Sequence, residues 1–568
     1  MPEAPSAPAE LFIGAVAAMR EGRMEDAERL CLAVIETESG HFDALRMLGV
    51  VQYRLGRREE ALRHYDLALA LRPDHAETLS NRGNVLKGLG RLSDALDSYD
   101  RAIAAQPDFA DAHYNRAILL KETGRPEEAL LGYETVLMLR PERAIALNNR
   151  GNVLSQLGRY AEAVASFDRA IRLKPDYAEA FSNRGNALHE LNDNAAAIES
   201  FDQAIALRPD YADAYNNRSV ALKAKRRFDE ALASHLKAQA LVPDFADAHW
   251  NEALLRLLTG DFTTGFAKYE WRWKRDSFTS PRRAFAQPQW DGLASLYGQK
   301  ILLHAEQGLG DTVQFCRYVA LAAARGAHVI VEVPGSLHRL MTSLPGASEV
   351  VTAGDPLPPF DLHCPFMSLP LAFSTKLHTI PAEIPYLHAP ADAVATWEAR
   401  LARSKRPLIG LVWAGRPDHL NDRNRSIALA TLLPLTDFDA TFVSLQKDLR
   451  PGDEDLLGQR PDILEYGRSL SDLADAGALV SCLDLVIAVD TCLAHVAGAL
   501  GKPVFILLPH TPDWRWLLDR DDSPWYPTAR LFRQSQPGAW DEVVAEVASA
   551  LPATAHSRVE KKPAQAPS

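Results

Sequence analysis

The sequence predicts an α-solenoid followed by an α/β fold built from two similar halves. Three observations predict it. Small residues and prolines recur every 34 residues through the first half of the chain. After about Trp273 that recurrence gives way to short apolar runs alternating with helical patterns. Near residue 407 the alternation starts a second time.

The recurrence is strict. Pro73, Pro107, Pro141, Pro175, Pro209 and Pro243 share the interval, as do Ala27, Ala61, Ala95, Ala129, Ala163, Ala197 and Ala231. Gly22, Gly56, Gly90, Gly124, Gly158 and Gly260 mark a turn in most copies. Each unit reads as two helices, as in AETLSNRGNVLKGLG followed by RLSDALDSYDRAIAAQPD. The proline stops the second helix, and the acid after it favours the next start. Small residues let the two helices approach closely. These positions resemble the tetratricopeptide repeat (TPR), which implies a superhelix over residues 8–279. Six copies between Phe42 and Phe245 are clear, a degenerate one precedes them, and one ending in YEWRW follows.

Asn81, Asn115, Asn149, Asn183, Asn217 and Asn251 occupy one equivalent position of the first helix. Asn costs about 0.6 kcal/mol relative to Ala inside a helix, roughly 3–4 kcal/mol for six. Something should therefore use these amides. A row of them can hold the backbone of an extended peptide, since each offers a donor and an acceptor. The alternative is bonding within or between repeats. The array resembles that of O-GlcNAc transferase, which carries such an asparagine ladder. Arg82, Arg116, Arg150, Arg184 and Arg218 keep step with Asp66, Asp100, Glu134, Asp168 and Asp202, which predicts pairs between helices.

Residues 280–297 read as a connector rich in Pro and Arg. KILLHAEQ, AHVIVEV and SEVVTAG are strands of a first α/β half, 298–390, with one helix expected across TVQFCRYVALAAARG. PLIGLVWAG, ATFVSLQ, LVIAVD and a final strand PVFILLP build a second half, 405–553. Ligands in such sheets bind beyond the carboxyl ends of the strands. Two loops lie there. Gly308-Leu309-Gly310-Asp311-Thr312 puts a carboxylate at a helix start, either a general base or a plain N-cap. Asp490-Thr491-Cys492-Leu493-Ala494-His495 opens a helix whose free amides suit a diphosphate. Asp490 or Thr491 as a cap, and His495 as a core side chain, are the alternatives.

DTCLAHVAGALGKPV resembles the nucleotide-sugar motif of the heptosyltransferase family (glycosyltransferase family 9), and GLGD resembles that family's N-terminal motif. The resemblance covers roughly 298–551 and implies a GT-B fold of two Rossmann-like halves. It implies that Asp311 deprotonates the acceptor and that Gly308, Gly310, Thr312, Asp490, Thr491, Cys492 and His495 line the donor site. Cys492 stands where the family has glycine. The family's basic residue falls on Arg425 or Arg423, and Lys447 is a further cation for the diphosphate. No paired-carboxylate D-x-D stands out in this half, so no metal or cofactor is expected beyond the nucleotide-sugar substrate.

The totals narrow the partners. At 568 residues the chain exceeds one core, and 47% hydrophobic with 24% charged residues is a folded composition. A net charge of -12 argues against nucleic acid. The five dispersed cysteines read as reduced thiols, no apolar run is long enough to span a membrane, and no signal peptide is recognised, so a cytoplasmic site is expected. Residues 2–8 and 554–568 are expected to be disordered. The predicted activity is transfer of a sugar from a nucleotide donor to Ser/Thr of a protein in the TPR groove. Similar fusions in flagellin glycosyltransferases suggest flagellin as that protein. The alternatives are a heptosyltransferase-like enzyme of envelope glycan assembly and a non-catalytic scaffold.

Overall fold

The structure, a computed structural model, describes residues 7–418 and 421–556. Of the two ends expected to be disordered, Pro8 lies in the first helix and the last helix runs to His556; the remaining residues lie outside those described. The described chain forms two compact units, one ending at Lys225 and the other beginning at Arg226. No helix among the described residues is long and apolar enough to cross a membrane.

The first half is a TPR solenoid. Helix pairs run from Ala7–Arg20 to Phe262–Tyr269, each with the 34-residue period. The turn between paired helices needs a left-handed residue. Gly22, Gly56, Gly90, Gly124, Gly158 and Gly260 supply it with φ of 73–91°, and Asn192 and Arg226 fill the same place at 64° and 56°. Within a pair, small residues admit aromatic rings: a Cβ on Gly83 would lie 2.5 Å from Tyr99, and one on Gly151 2.5 Å from Phe167. The arginine row joins repeats as expected. Arg82 donates to Asp66 of the preceding second helix at 2.7 Å and to buried Ser98 of its own at 2.6 Å. Arg184 repeats this with Asp168 and Ser200.

The last helices, Phe228–Leu241, Ala246–Leu258 and Phe262–Tyr269, belong to the second unit with the α/β region. That region holds two parallel sheets. The first comprises β1 (Lys300–His304), β2 (His328–Val333), β3 (Ala347–Thr352) and β4 (Leu362–Pro365), in the order β3-β2-β1-β4. The second comprises β5 (Leu408–Val412), β6 (Thr441–Ser444), β7 (Ile463–Glu465), β8 (Leu485–Val489), β9 (Val504–Leu508) and β10 (Ala529–Arg533), in the order β10-β9-β8-β5-β6-β7. Strand order reverses beside β1 in one sheet and between β5 and β8 in the other. Such switch points open a crevice at the carboxyl edge.

Three expectations need correction. PVFILLP is not the final strand, because β10 follows it at the sheet edge. The short strands β4 and β7 were not expected. The helix expected across TVQFCRYVALAAARG is two helices, Leu309–Phe315 and Tyr318–Ala324. Between them Arg317 turns inward and donates to the carbonyls of Pro381 and Trp525 and to the Tyr386 hydroxyl. This buried guanidinium stitches the two α/β halves together.

Candidate functional site

The loop after β1 is built by constraint. Gln307 takes a left-handed φ of 62°, a conformation that costs about 1 kcal/mol or more in a side-chain-bearing residue. Its N–H donates to Ser280 and its side chain accepts from the Tyr269 hydroxyl. The chain then enters the short helix Leu309–Phe315. Asp311 is not the N-cap, which is Gly308; it sits at the third helical position and accepts the Gly308 N–H at 2.9 Å through Oδ2. Its other oxygen faces the second half, where Arg515 Nη2 lies at 2.5 Å.

The turn after β8 meets this helix directly. A Cβ on Gly310 would sit 3.0 Å from His495 Cδ2 and 3.4 Å from Cys492 Cα. The structure thus gives Gly310 a packing role: its missing side chain lets Leu309–Phe315 lie on Cys492–Ala499. Thr312 is buried, with its hydroxyl 3.4 Å from the Gly308 carbonyl. His495 is buried, bonds Tyr526 at 2.9 Å through Nδ1, and stacks on Trp516. Burial, with Arg515 adding, pushes His495 down to about 3, so the ring is neutral at physiological pH. Its Nε2 lies 4.0 Å from Asp490. Burial pushes Asp490 up to about 6, and the charge of Asp513 adds to the rise. Thr491 begins the helix without capping it through its side chain, and its buried Oγ1 has no hydrogen-bond partner among the described residues.

Arg425 reaches the same turn, donating to the Asp490 carbonyl at 3.0 Å. Gly415, after β5, makes room for it, since a Cβ there would meet Nη2 at 2.4 Å. This contact spans the β5–β8 switch point. Arg423 is exposed instead. Lys447 is also exposed, with Nζ 3.4 Å from the Leu470 carbonyl, and no contact joins it to the other residues. Asp311, Gly310, Asp490, Thr491, Cys492, His495 and Arg425 therefore converge from three loops.

Sequence reasoning missed Gln314, Asp513, Arg515 and Trp516. Arg515 donates to Gln314 at 2.8 Å and Asp513 at 2.8 Å as well as to Asp311. Burial opposes its charge, but Asp513 and Asp311 outweigh that and hold it firmly protonated. Its neighbour Trp514 packs against Phe262, Phe266, Tyr269 and Phe315. The signal was an arginine between two tryptophans, DWRW, which reads as core.

In the array the ladder asparagines are half-buried. Three bond to the preceding repeat through Nδ2: Asn149 to Tyr114 at 2.9 Å, Asn183 to Asn148 at 3.0 Å, and Asn115 to Ser80 at 3.4 Å. A bond of about 1 kcal/mol offsets the helical cost. Their Oδ1 atoms have no partner among the described residues. A groove of about 490 Å³ opens along this face, lined by Asn148, Asn152, Asn183, Tyr177 and Tyr211 among others.

Comparison with known proteins agrees with this division. Models of the tetratricopeptide repeat match residues 40–108, 98–130, 151–192 and 185–225. The model of glycosyltransferase family 9 (heptosyltransferase) matches residues 470–541, which contain both the Asp490–His495 turn and DWRW. Protein FlbA of Caulobacter vibrioides is 26% identical over 328 residues, covering 53% of this chain and 54% of that protein. The chain thus spans about half the length of the curated relative it matches. A tetratricopeptide repeat protein from Parabacteroides merdae is 21% identical over 44% of this chain and 98% of its own, with a TM-score of 0.35. YrrB, described as a TPR protein with an unusual peptide-binding site, is 26% identical over 32% of this chain and 95% of its own, with a TM-score of 0.30. The chain carries tetratricopeptide repeats and, over residues 470–541 of its C-terminal part, a stretch that matches glycosyltransferase family 9.

Proposed function

We propose that the protein is a glycosyltransferase of GT-B type that moves a sugar from a nucleotide donor to a Ser/Thr hydroxyl of a protein. The observation that carries this is the packing of the Gly308–Thr312 loop, from the first α/β half, on the Asp490–His495 turn of the second, through Gly310 against Cys492 and His495. It places a carboxylate beside a helix start suited to a diphosphate. On this reading Asp311 accepts the proton of the acceptor hydroxyl. Gly308, Gly310, Thr312, Asp490, Thr491, Cys492 and His495 shape the donor site. Arg425 and the amides of Cys492–Ala499 meet the charge of the departing nucleotide, with Lys447 at the periphery, so that no metal is required.

Residues 8–279 would hold the acceptor, and 298–553 would perform the transfer. Because Nδ2 of Asn115, Asn149 and Asn183 serves the neighbouring repeat, the ladder offers acceptors. Asn81, Asn217 and Asn251 stand at the equivalent positions of their repeats, where the Oδ1 of Asn217 already accepts from Asn216 Nδ2. A row of Oδ1 atoms suits the backbone N–H groups of an extended peptide, whatever its sequence. Flagellin is our acceptor candidate.

Intact-mass analysis of proteins captured by the array tests the proposal. Cells carrying wild type, Asp311→Ala or no gene would be compared. A sugar-sized increment found only with wild type supports it. No increment on any captured protein, with activity on an isolated glycan, would replace it with a heptosyltransferase-like role in envelope glycan assembly. Failure to bind any nucleotide would leave a scaffold.

A further inference from the structure

We propose that Arg515 is a positioning residue of the transfer reaction: it holds the Asp311 carboxylate until the donor's diphosphate takes a share of its guanidinium. This rests on the transferase reading above.

The geometry carries the inference. The side chain of Arg515 is 9% exposed, and its donors are spread over Asp311, Gln314 and Asp513. Both oxygens of Asp311 are engaged, Oδ2 by the Gly308 N–H and Oδ1 by Arg515. A carboxylate so held keeps lone pairs, but an incoming hydroxyl must share Oδ1 with the guanidinium. A competitor for Arg515 would open that oxygen to the acceptor.

The surroundings indicate the competitor. Gln314 Nε2, Thr491 Oγ1 and Arg425 Nε are buried without a hydrogen-bond partner among the described residues, and the Trp516 indole N–H faces the Asp490 carboxylate. Gln314 and Trp516 are fully buried. Each of the four residues bonds, stacks on or adjoins a member of this cluster. Unpartnered buried donors are costly, since burial removes the water that would otherwise accept from them. Their excess over acceptors fits an oxygen-rich anion, and a diphosphate supplies such oxygens. The flanking Trp514 and Trp516 are packed, which fixes the turn that bears the guanidinium.

The step balances as follows. A diphosphate oxygen takes the Nη2 hydrogen bond and frees Oδ1 of Asp311. The acceptor hydroxyl gives its proton to that oxygen and forms a bond to the anomeric carbon. The bond from that carbon to the β-phosphate oxygen breaks, and its electron pair leaves with the nucleoside diphosphate. Arg515 and Arg425 face the charge that appears. Donor binding therefore precedes activation of the base.

The test is calorimetric titration of the full chain with UDP, GDP and ADP. Wild type, Arg515→Gln, Arg515→Lys, Asp311→Asn and the double variant Asp311→Asn/Arg515→Gln would be compared. At least one diphosphate should bind wild type. Arg515→Gln should weaken it about tenfold or more and Arg515→Lys about threefold, because lysine keeps the charge and loses the fork. Asp311→Asn should tighten binding about threefold or more by removing the competitor, and that gain should vanish in the double variant. A gain that persists in the double variant is simple repulsion and overturns the proposal. Unchanged affinity in Arg515→Gln overturns it too, and leaves the transferase reading standing. No binding to wild type by any of the three removes that reading, and this proposal with it. If Arg515→Gln lacks a cooperative melting transition, Arg515→Lys and Asp311→Lys/Arg515→Glu, which exchanges the charges, replace it: an affinity that fails to follow Arg515 in either is the overturning result.

Discussion

The array and the α/β region use the same kinds of contact to different ends. In the array, Arg82 bonds residues 16 positions away on either side, and Arg184 does the same three repeats on. Each repeat answers only to its neighbours. In the α/β region, Arg515 bonds Asp311 across 204 positions and Gln314 across 201. An array of local pairs gives a surface that can be lengthened or varied piecemeal. Convergence of distant loops gives one site in which each side chain constrains several others. Binding a chain suits the first; reaction geometry needs the second.

The sharpest way to test that contrast is Asp311→Asn. It should lower transfer about 10²–10⁴-fold, the usual contribution of a general base, while proteins are still captured by the array. Loss of capture as well would mean that the two regions are not separable.

Next is the pH response of Asp490. Its folded-state pKa of about 6 lies above the value near 3.9 of an unfolded chain. Stability is therefore full below about pH 4 and declines as pH rises to about 6, on the order of 3 kcal/mol, then levels off. Asp490→Asn should melt above wild type at pH 7–8 and with it near pH 4. His495 runs the other way: its pKa of about 3 lies below the unfolded value, so its contribution is present above about pH 6.5 and fades toward pH 3. A pH-independent difference between wild type and Asp490→Asn would remove the buried-carboxyl account.

One substitution can be made in both regions. Gly310→Ala puts a methyl 3.0 Å from His495 and should cost about 1–3 kcal/mol by overpacking, together with most of the activity. Gly158→Ala meets open space at φ 73° and should cost about 1 kcal/mol from backbone conformation alone, leaving activity intact. Urea midpoints and transfer rates read both. Equal effects on activity would erase the distinction between local and convergent design.

A small stability change is expected from the ladder. Replacing Asn115, Asn149 and Asn183 with Ala loses three inter-repeat bonds and gains helix propensity, so stability should move by less than about 2 kcal/mol. Acceptor affinity should fall about tenfold if the Oδ1 row holds peptide N–H groups. Unchanged affinity would make the ladder structural, like the arginine row beside it.

Much of the molecule was legible because its cause is local. The 34-residue interval, the glycine turns and the Arg–Asp step each depend on residues close in sequence, so a period exposes them. The turn positions of Asn192 and Arg226 were hidden only because the residue type changes while the backbone does not. β4, β7 and β10 went unread for another reason. They are three to five residues long, and pairing with neighbours far along the chain makes them strands. GLGD and DTCLAH stood out as loops at strand ends.

By itself, then, the sequence determined the repeat, the change to alternating strands and helices, and the two loops at the carboxyl edges. Periodicity and strand–loop–helix order act over a few residues, and they survive in one dimension. Tertiary structure alone decided that Asp311 is paired with Arg515, that Gly310 serves a helix contact, and that Arg425 rather than Arg423 reaches Asp490. It also decided that Arg317 joins the two halves and that the ladder amides spend their donors on neighbouring repeats. These depend on which segments meet, and on the burial that removes water as a competing partner.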